Sequence, residues 1–296
     1  MNILFFGAGA SYGSSNASTP PLGPDLFAAL QRHDPNSWGR LAAPWPARFL
    51  VDFEEAMAEF IAVGLFAAPL QWAMADFFFK KFLIDDTNLY IRLLQDIARS
   101  EQDVALVTIN YDRLLFQAAA GIVTLEVGDT IRPGKNLGLC LPHGSSVLKC
   151  ESVRGSTGVS FTGGVSTRGK ISLINDVSEF DRERGSNVFP PVMSYFEPNK
   201  FTCSGANFIA GQRQLFSELI GGASRVAIIG VNVHPLDAHI WDPLEQTPAK
   251  CFYLGGAAGA EKYRSWCQDT NRGDDVVCER YFADGYDEMV AFILGI

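Results

Sequence analysis

The chain has 296 residues, with 24 lysines and arginines against 33 aspartates and glutamates, for a formal net charge of -9. That balance supplies no basic footprint for a nucleic-acid backbone. With 47% hydrophobic and 19% charged residues the composition is that of a folded globular protein, long enough for one large domain or a domain carrying an insertion.

Residues 2–6, NILFF, read as a short buried strand running directly into the glycines of FFGAGASYGSS. The opening MNILFF is too short for a secretory signal and has no positive leading region, so the expected compartment is the cytoplasm. After the long loop SSNASTPPLGPD a helix is expected near Leu22 to Leu30, and the loop from Ser14 to Pro24 is a candidate lid. From Phe49 to Arg99 the stretches FLVDFEEAMAEFIAV, LQWAMADFFFKKFLI and NLYIRLLQDIARS carry apolar residues at three and four spacing, the period of amphipathic helices. The uncharged run from Phe60 to Ala75 is broken by Pro69 and Gln71 and is too short to span a bilayer.

Strand composition returns in DVALVTIN (103–110), followed by helix-like YDRLLFQAAA, then IVTLEV and LGLCLPHG. A Gly/Ser/Thr-rich section from Glu151 to Lys170 reads as loops or a small antiparallel flap. RVAIIGV, KCFYLGG and DVVCERYF supply further strands before a final helix, DGYDEMVAFIL. Buried strands alternating with helices give an α/β fold: a Rossmann-like, doubly wound, mostly parallel sheet. The expected division is a core of residues 1–30 and 101–296, with a helical insertion over 31–100.

In a doubly wound sheet, ligands sit beyond the carboxyl ends of the strands. Four such ends carry polar or small residues here: Gly7-Ala8-Gly9-Ala10-Ser11, Asn110-Tyr111-Asp112, His143-Gly144-Ser145 and Gly230-Val231-Asn232. The glycines after Phe6 serve either a tight turn or the close approach of a pyrophosphate to the backbone, with Ser11 adding a hydroxyl. The dinucleotide fingerprint is only partly met, because Tyr12 stands where the third glycine belongs. Asp25 lies near the distance of a ribose-binding acid, but its place at a helix start makes N-capping its expected role. VGDTIRPGKN fails the Walker A spacing, which argues against triphosphate hydrolysis.

His143, between Pro142 and Gly144, either accepts a proton or caps a loop. His234 and His239 are five residues apart, which misses the spacing that puts two ligands on one helical face, so they read as structural or surface residues. The six cysteines form no CxxC pair and no zinc-site spacing, so they are expected to be reduced, with no metal bound.

Taken together, GAGAS, TINYD (108–112), PHGS (142–145), FPPVMSYFEPNK (189–200) and AIIGVNVHPLDAHI (227–240) resemble, in order, the motifs of the sirtuin-like family of NAD-consuming domains. The resemblance is to its divergent bacterial branch, and it covers most of the chain outside the helical insertion. It implies that Asn110 holds the nicotinamide ribose and the attacking water, that Asp112 organises the nicotinamide pocket and that His143 is the general base. Gly7, Ala8, Gly9 and Ser11 would cradle the pyrophosphate, and Gly230 and Asn232 would face the adenosine ribose. Deacylating members carry paired zinc-binding cysteines between the His-Gly and the Pro-rich segment; this interval holds only Cys150.

The resemblance therefore implies a NAD glycohydrolase, releasing nicotinamide and ADP-ribose with NAD as substrate and no metal, of the kind that acts in antiphage defence. Two alternatives stand beside it: a protein deacylase or ADP-ribosyltransferase using the same pocket, and a sensor that binds NAD or ADP-ribose without turnover. Unrestrained NAD destruction would poison its host, so a homo-oligomer or an activating protein partner is expected, with no direct contact to nucleic acid or membrane.

Overall fold

A computed structural model describes residues 1–15, 19–65, 67–131, 136–151, 169–195, 202, 204–235 and 237–295. The first strand, β1 (Asn2–Phe6), is wholly buried and leads straight into a short helix, α1 (Ala8–Tyr12). A helical block follows: α2 (Gly23–His33), a 3-10 turn (Trp38–Arg40), α3 (Trp45–Val51), α4 (Phe53–Ala62), α5 (Ala68–Lys80) and α6 (Leu89–Arg99). The chain then alternates through β2 (Val104–Thr108), α7 (Leu114–Ala119), β3 (Leu125–Glu126), β4 (Leu137–Cys140), β5 (Leu148–Cys150) and β6 (Ile171–Leu173). Helices α8 (Val177–Ser186) and α9 (Ala206–Gly221) precede β7 (Arg225–Ile229), α10 (Ala238–Gln246), β8 (Lys250–Gly255), α11 (Ala257–Asp269), β9 (Val276–Glu279) and α12 (Tyr286–Leu294).

Seven strands form one sheet in the order β3-β4-β2-β1-β7-β8-β9, and every pairing in it is parallel. Residues alternate faces along β1: Leu4 and Phe6 pack with α2, α6 and α12, while Ile3 and Phe5 pack with α9, α10 and α11. The fold is thus the doubly wound, Rossmann-like α/β architecture. The chain leaves β1 toward β2 on one side and returns through β7 on the other, which puts a topological switch point between β1 and β7.

Local chemistry sets several boundaries. FLVDFEEAMAEFIAV is two helices rather than one, because Asp52 ends α3 and its carboxylate accepts the Glu55 N–H at 2.9 Å as the cap of α4. The glycine turn opens a helix immediately, at Ala8, and the next helix begins at Gly23 with Leu22 as its cap. Asp25 is therefore exposed in the first turn of α2, where its charge complements the helix dipole, and is not the capping residue. The flap expected in the Gly/Ser/Thr-rich section has its base in the antiparallel pair β5-β6; residues 152–168 of it lie outside the described residues.

The helical block shares its core with the sheet. Trp38, Phe49 and Phe53 form an aromatic cluster that joins the sheet face through Phe27, Leu30 and Tyr90. Because α2 packs on the 3-10 turn, α3 and α5, the helical layer starts with α2. On the far side, Asp76 of α5 ties the layer to α8 through Arg184 at 2.8 Å, with Lys80 and His33 completing its partners. Burial alone would raise the Asp76 pKa, but these three partners together lower it. Of the cysteines, Cys140, Cys150, Cys251 and Cys278 are buried thiols and Cys267 is half-buried; Cys203 lies outside the described residues. No helix among the described residues is long and apolar enough to cross a membrane.

Candidate functional site

A cavity of about 660 Å³ opens at the carboxyl ends of the central strands, within the size range of small-molecule and cofactor sites. Ala8 and Gly9 after β1, Asn110 to Asp112 after β2, His143 after β4 and Gly230 to Asn232 after β7 all line it. The loop before α2 contributes Pro20 to Leu22, and the helical block contributes Gly23, Leu26, Glu54 and Phe78. Part of the expected lid thus forms a wall of the cavity; its tip, residues 16–18, lies outside the described residues.

The floor is a crossing of two backbones. Gly7 N–H donates to the Ile229 carbonyl and Gly9 N–H to the Gly230 carbonyl, both at 2.9 Å. Gly230 has φ of +62°, and a Cβ there would lie 2.2 Å from the Ala10 nitrogen; a Cβ on Gly9 would lie 2.8 Å from the Gly230 Cα. The glycines are therefore required by the contact of two strand ends, and the N–H groups of Gly7 and Gly9 are spent on it. Gly7 and Ser11 sit beneath the cavity wall rather than in it, Ser11 being almost wholly buried.

Ser11 belongs to a buried polar cluster. Asn110 donates from Nδ2 to the Gly7 carbonyl at 2.8 Å and to Ser11 Oγ at 3.0 Å, and Ser11 Oγ also lies 3.1 Å from the Tyr90 hydroxyl. With both Nδ2 protons so used, Asn110 offers a ligand the lone pairs of Oδ1. Asp112 accepts the Leu114 N–H at 3.0 Å, and burial pushes its carboxyl above the ordinary range. Burial, reinforced by Asp112, pushes the Tyr90 phenol far up as well, so it stays neutral.

The three central motifs are knitted together by short bonds. Ser146 Oγ donates to the Tyr111 carbonyl at 2.6 Å, the Tyr111 hydroxyl to the Ser194 carbonyl at 3.0 Å, and Ser145 N–H to the Val192 carbonyl at 2.9 Å. Gly144, at φ of +75°, bridges to Met193; a Cβ there would strike the Val192 carbonyl oxygen at 2.0 Å. This turn aims His143 into the cavity, where its Nε2 lies 2.8 Å from Nε2 of His239. His239 is therefore not a bystander: it stands in the first turn of α10 against His143, with Asp237 just before it on the cavity wall.

Several lining residues carried no recognised signal. Gly255 and Gly256 lead into α11, whose first residues Ala257 and Ala258 line the cavity and turn the positive end of that helix toward it. The Gly-Gly directly after a strand was the available cue. Tyr90, buried behind the wall against Ser11 and set in an ordinary amphipathic stripe, gave none, and Tyr281 and Phe282 join the wall only because β9 ends beside β8.

No family model matches the chain, and no curated protein does. Among solved structures it is similar to a Sir2 protein in complex with the inhibitor EX-527, 2'-O-acetyl-ADP-ribose and a deacetylated p53 peptide. The identity is 13%, the TM-score 0.45, and the alignment covers 98% of this chain and 92% of that one. A structure concerned with sirtuin substrate affinity is similar at the same 13% identity and the same coverage, with a TM-score of 0.41.

Proposed function

We propose that the cavity binds NAD and hydrolyses the bond between nicotinamide and ribose, as the sirtuin-like motifs imply. One observation carries the reading: the amide of Asn110, the carboxyl of Asp112 and the imidazole of His143 line a single cavity at the switch point of a doubly wound sheet. The first turn of α11 lines that same cavity and supplies N–H groups for the pyrophosphate. With Gly7 and Gly9 N–H bonded internally, the phosphate contact moves to Ala8 and the start of α11, while Gly230 and Asn232 remain beside it for the adenosine ribose.

In this reaction the C1'–N bond breaks and its electron pair leaves with nicotinamide, which departs neutral. C1' becomes oxocarbenium-like, water adds to it, and the proton of that water passes to a ring nitrogen of His143. Asn110 Oδ1 accepts from a ribose hydroxyl or from the water. Asp112, whose carboxyl burial pushes above the ordinary range, donates to the nicotinamide carboxamide in its protonated form. His239 orients the His143 ring and offers the next acceptor for the proton. An activity that empties the NAD pool suits antiphage defence and requires restraint by an oligomer, a partner or the segment lining the cavity mouth.

The test is release of nicotinamide and ADP-ribose from NAD by the purified protein, followed chromatographically beside Asn110→Ala and His143→Ala. Release that disappears in both variants is the expected result. Tight NAD binding by calorimetry with no product under any condition would replace hydrolysis with sensing, and absence of binding would overturn NAD as the ligand.

A further inference from the structure

His143 and His239, 96 residues apart in sequence, place Nε2 against Nε2 at 2.8 Å, with ring centroids 5.0 Å apart. Asp237 completes the group: one donor atom from each of the three residues lies within 4.8 Å of the others. His143 and Asp237 are buried to more than nine-tenths, yet both line the cavity, so the group is enclosed on the protein side and reachable from the ligand side.

Two imidazole nitrogens so close need either a single proton between them or a cation. A transition-metal ion binds imidazole nitrogen at about 2.0–2.1 Å, so two nitrogens on adjacent coordination positions stand roughly 3 Å apart. The rings already approach that separation, and small side-chain rotations would open it. Two imidazoles and one carboxylate, with remaining positions facing a cavity, are a donor set suited to zinc and its neighbours rather than to magnesium or calcium, which require oxygen.

We infer that His143, His239 and Asp237 form a binding site for a divalent transition-metal ion of the zinc class, and that its occupancy switches the active site off. The metal-binding half stands on the geometry alone; the switching half rests on the proposed glycohydrolase. The bound ion takes the Nε2 lone pair of His143 and fixes its ring. It also sets two positive charges beside the place where the sugar becomes cationic, which opposes formation of that state. Restraint of a NAD-destroying activity would then be built into the site itself.

The experiment uses the full chain stripped with a chelator and titrated with Zn²⁺ alone by calorimetry, with Co²⁺ absorbance reporting tetrahedral or five-coordinate ligation. The expected result is one ion per chain and a Zn²⁺-dependent rise in melting temperature. Affinity should fall by more than about 10-fold in His239→Ala and in Asp237→Asn and persist in His234→Ala, a cavity residue outside the group. Folding of each variant is checked by circular dichroism. Equal affinity in wild type and in the His143→Ala/His239→Ala double variant would overturn the site. Nicotinamide release by the stripped protein should fall at least about 10-fold on saturation with Zn²⁺; turnover unchanged by the bound ion would overturn the switch. Site-specific Zn²⁺ binding by a protein that never releases nicotinamide would uphold the metal site and reject the glycohydrolase.

Discussion

Asn110 Nδ2 donates to the carbonyl of Gly7, 2.8 Å away and 103 residues earlier in the chain. This bond fastens the end of β2 to the end of β1 and orients the Asn110 amide at the same time. Asn110→Ala should reduce nicotinamide release by at least about 100-fold, the scale of losing a positioned group at a reacting centre. Its loss of stability should be only about 1–2 kcal/mol, the cost of leaving the Gly7 carbonyl and Ser11 less well satisfied. Product release and urea unfolding measured on one preparation separate the two effects; comparable turnover in the variant would remove Asn110 from the chemistry.

Gly230→Ala tests the crossing beneath the cavity. The left-handed backbone costs a non-glycine residue about 1–2 kcal/mol, and the methyl group would strike the Ala10 nitrogen. A loss of at least about 2 kcal/mol in urea unfolding is expected. Gly64→Ala makes the control: its φ of +78° imposes the same backbone penalty, but nothing lies within 4 Å of the new methyl. The difference between the two variants measures the crossing itself, and equal losses would show that the contact is slack.

Asp112 makes stability pH-dependent. Burial raises its carboxyl pKa, so the folded chain holds the proton more tightly than the unfolded chain. Its contribution is therefore fully present below the unfolded value of about 3.9 and is lost as pH rises through the raised folded value. Asp112→Asn keeps an acceptor for the Leu114 N–H and cannot ionise. Above that window the variant should be more stable than wild type, on the order of 1 kcal/mol, while losing activity. A wild-type advantage in melting temperature that grows with pH would contradict this sign.

Ala258→Asp examines the phosphate contact proposed for the first turn of α11. A carboxylate in the first turn suits the helix dipole, so the fold should hold or gain a few tenths of a kcal/mol. Facing the cavity, the same charge would repel a pyrophosphate and weaken NAD binding by about 10-fold, about 1.4 kcal/mol. Unchanged affinity by calorimetry would place the phosphates elsewhere.

The sequence by itself determined the architecture and the short-range chemistry. Runs such as ILFF (3–6), VALV (104–107) and VAII (226–229) are apolar at every position, which marks strands covered on both faces, and the strand-end residues Asn110, Asp112 and His143 stand out one by one. Helix boundaries followed capping chemistry rather than apolar period: Asp52 divides one apolar period into two helices because its side chain caps the second.

Tertiary structure decided what those residues do to one another. GAGAS allows a phosphate or a turn; only the approach of Gly230 shows that Gly7 and Gly9 spend their N–H groups on a neighbouring strand end. Tyr90 looks like any buried helix residue until α6 brings its hydroxyl to Ser11. His239 fails every local spacing rule for a site residue, because its partner His143 is 96 residues away and reaches it through the strand order of the sheet. Local pattern records which face of an element is buried, whereas a site assembled from the ends of separate strands exists only after those strands have paired.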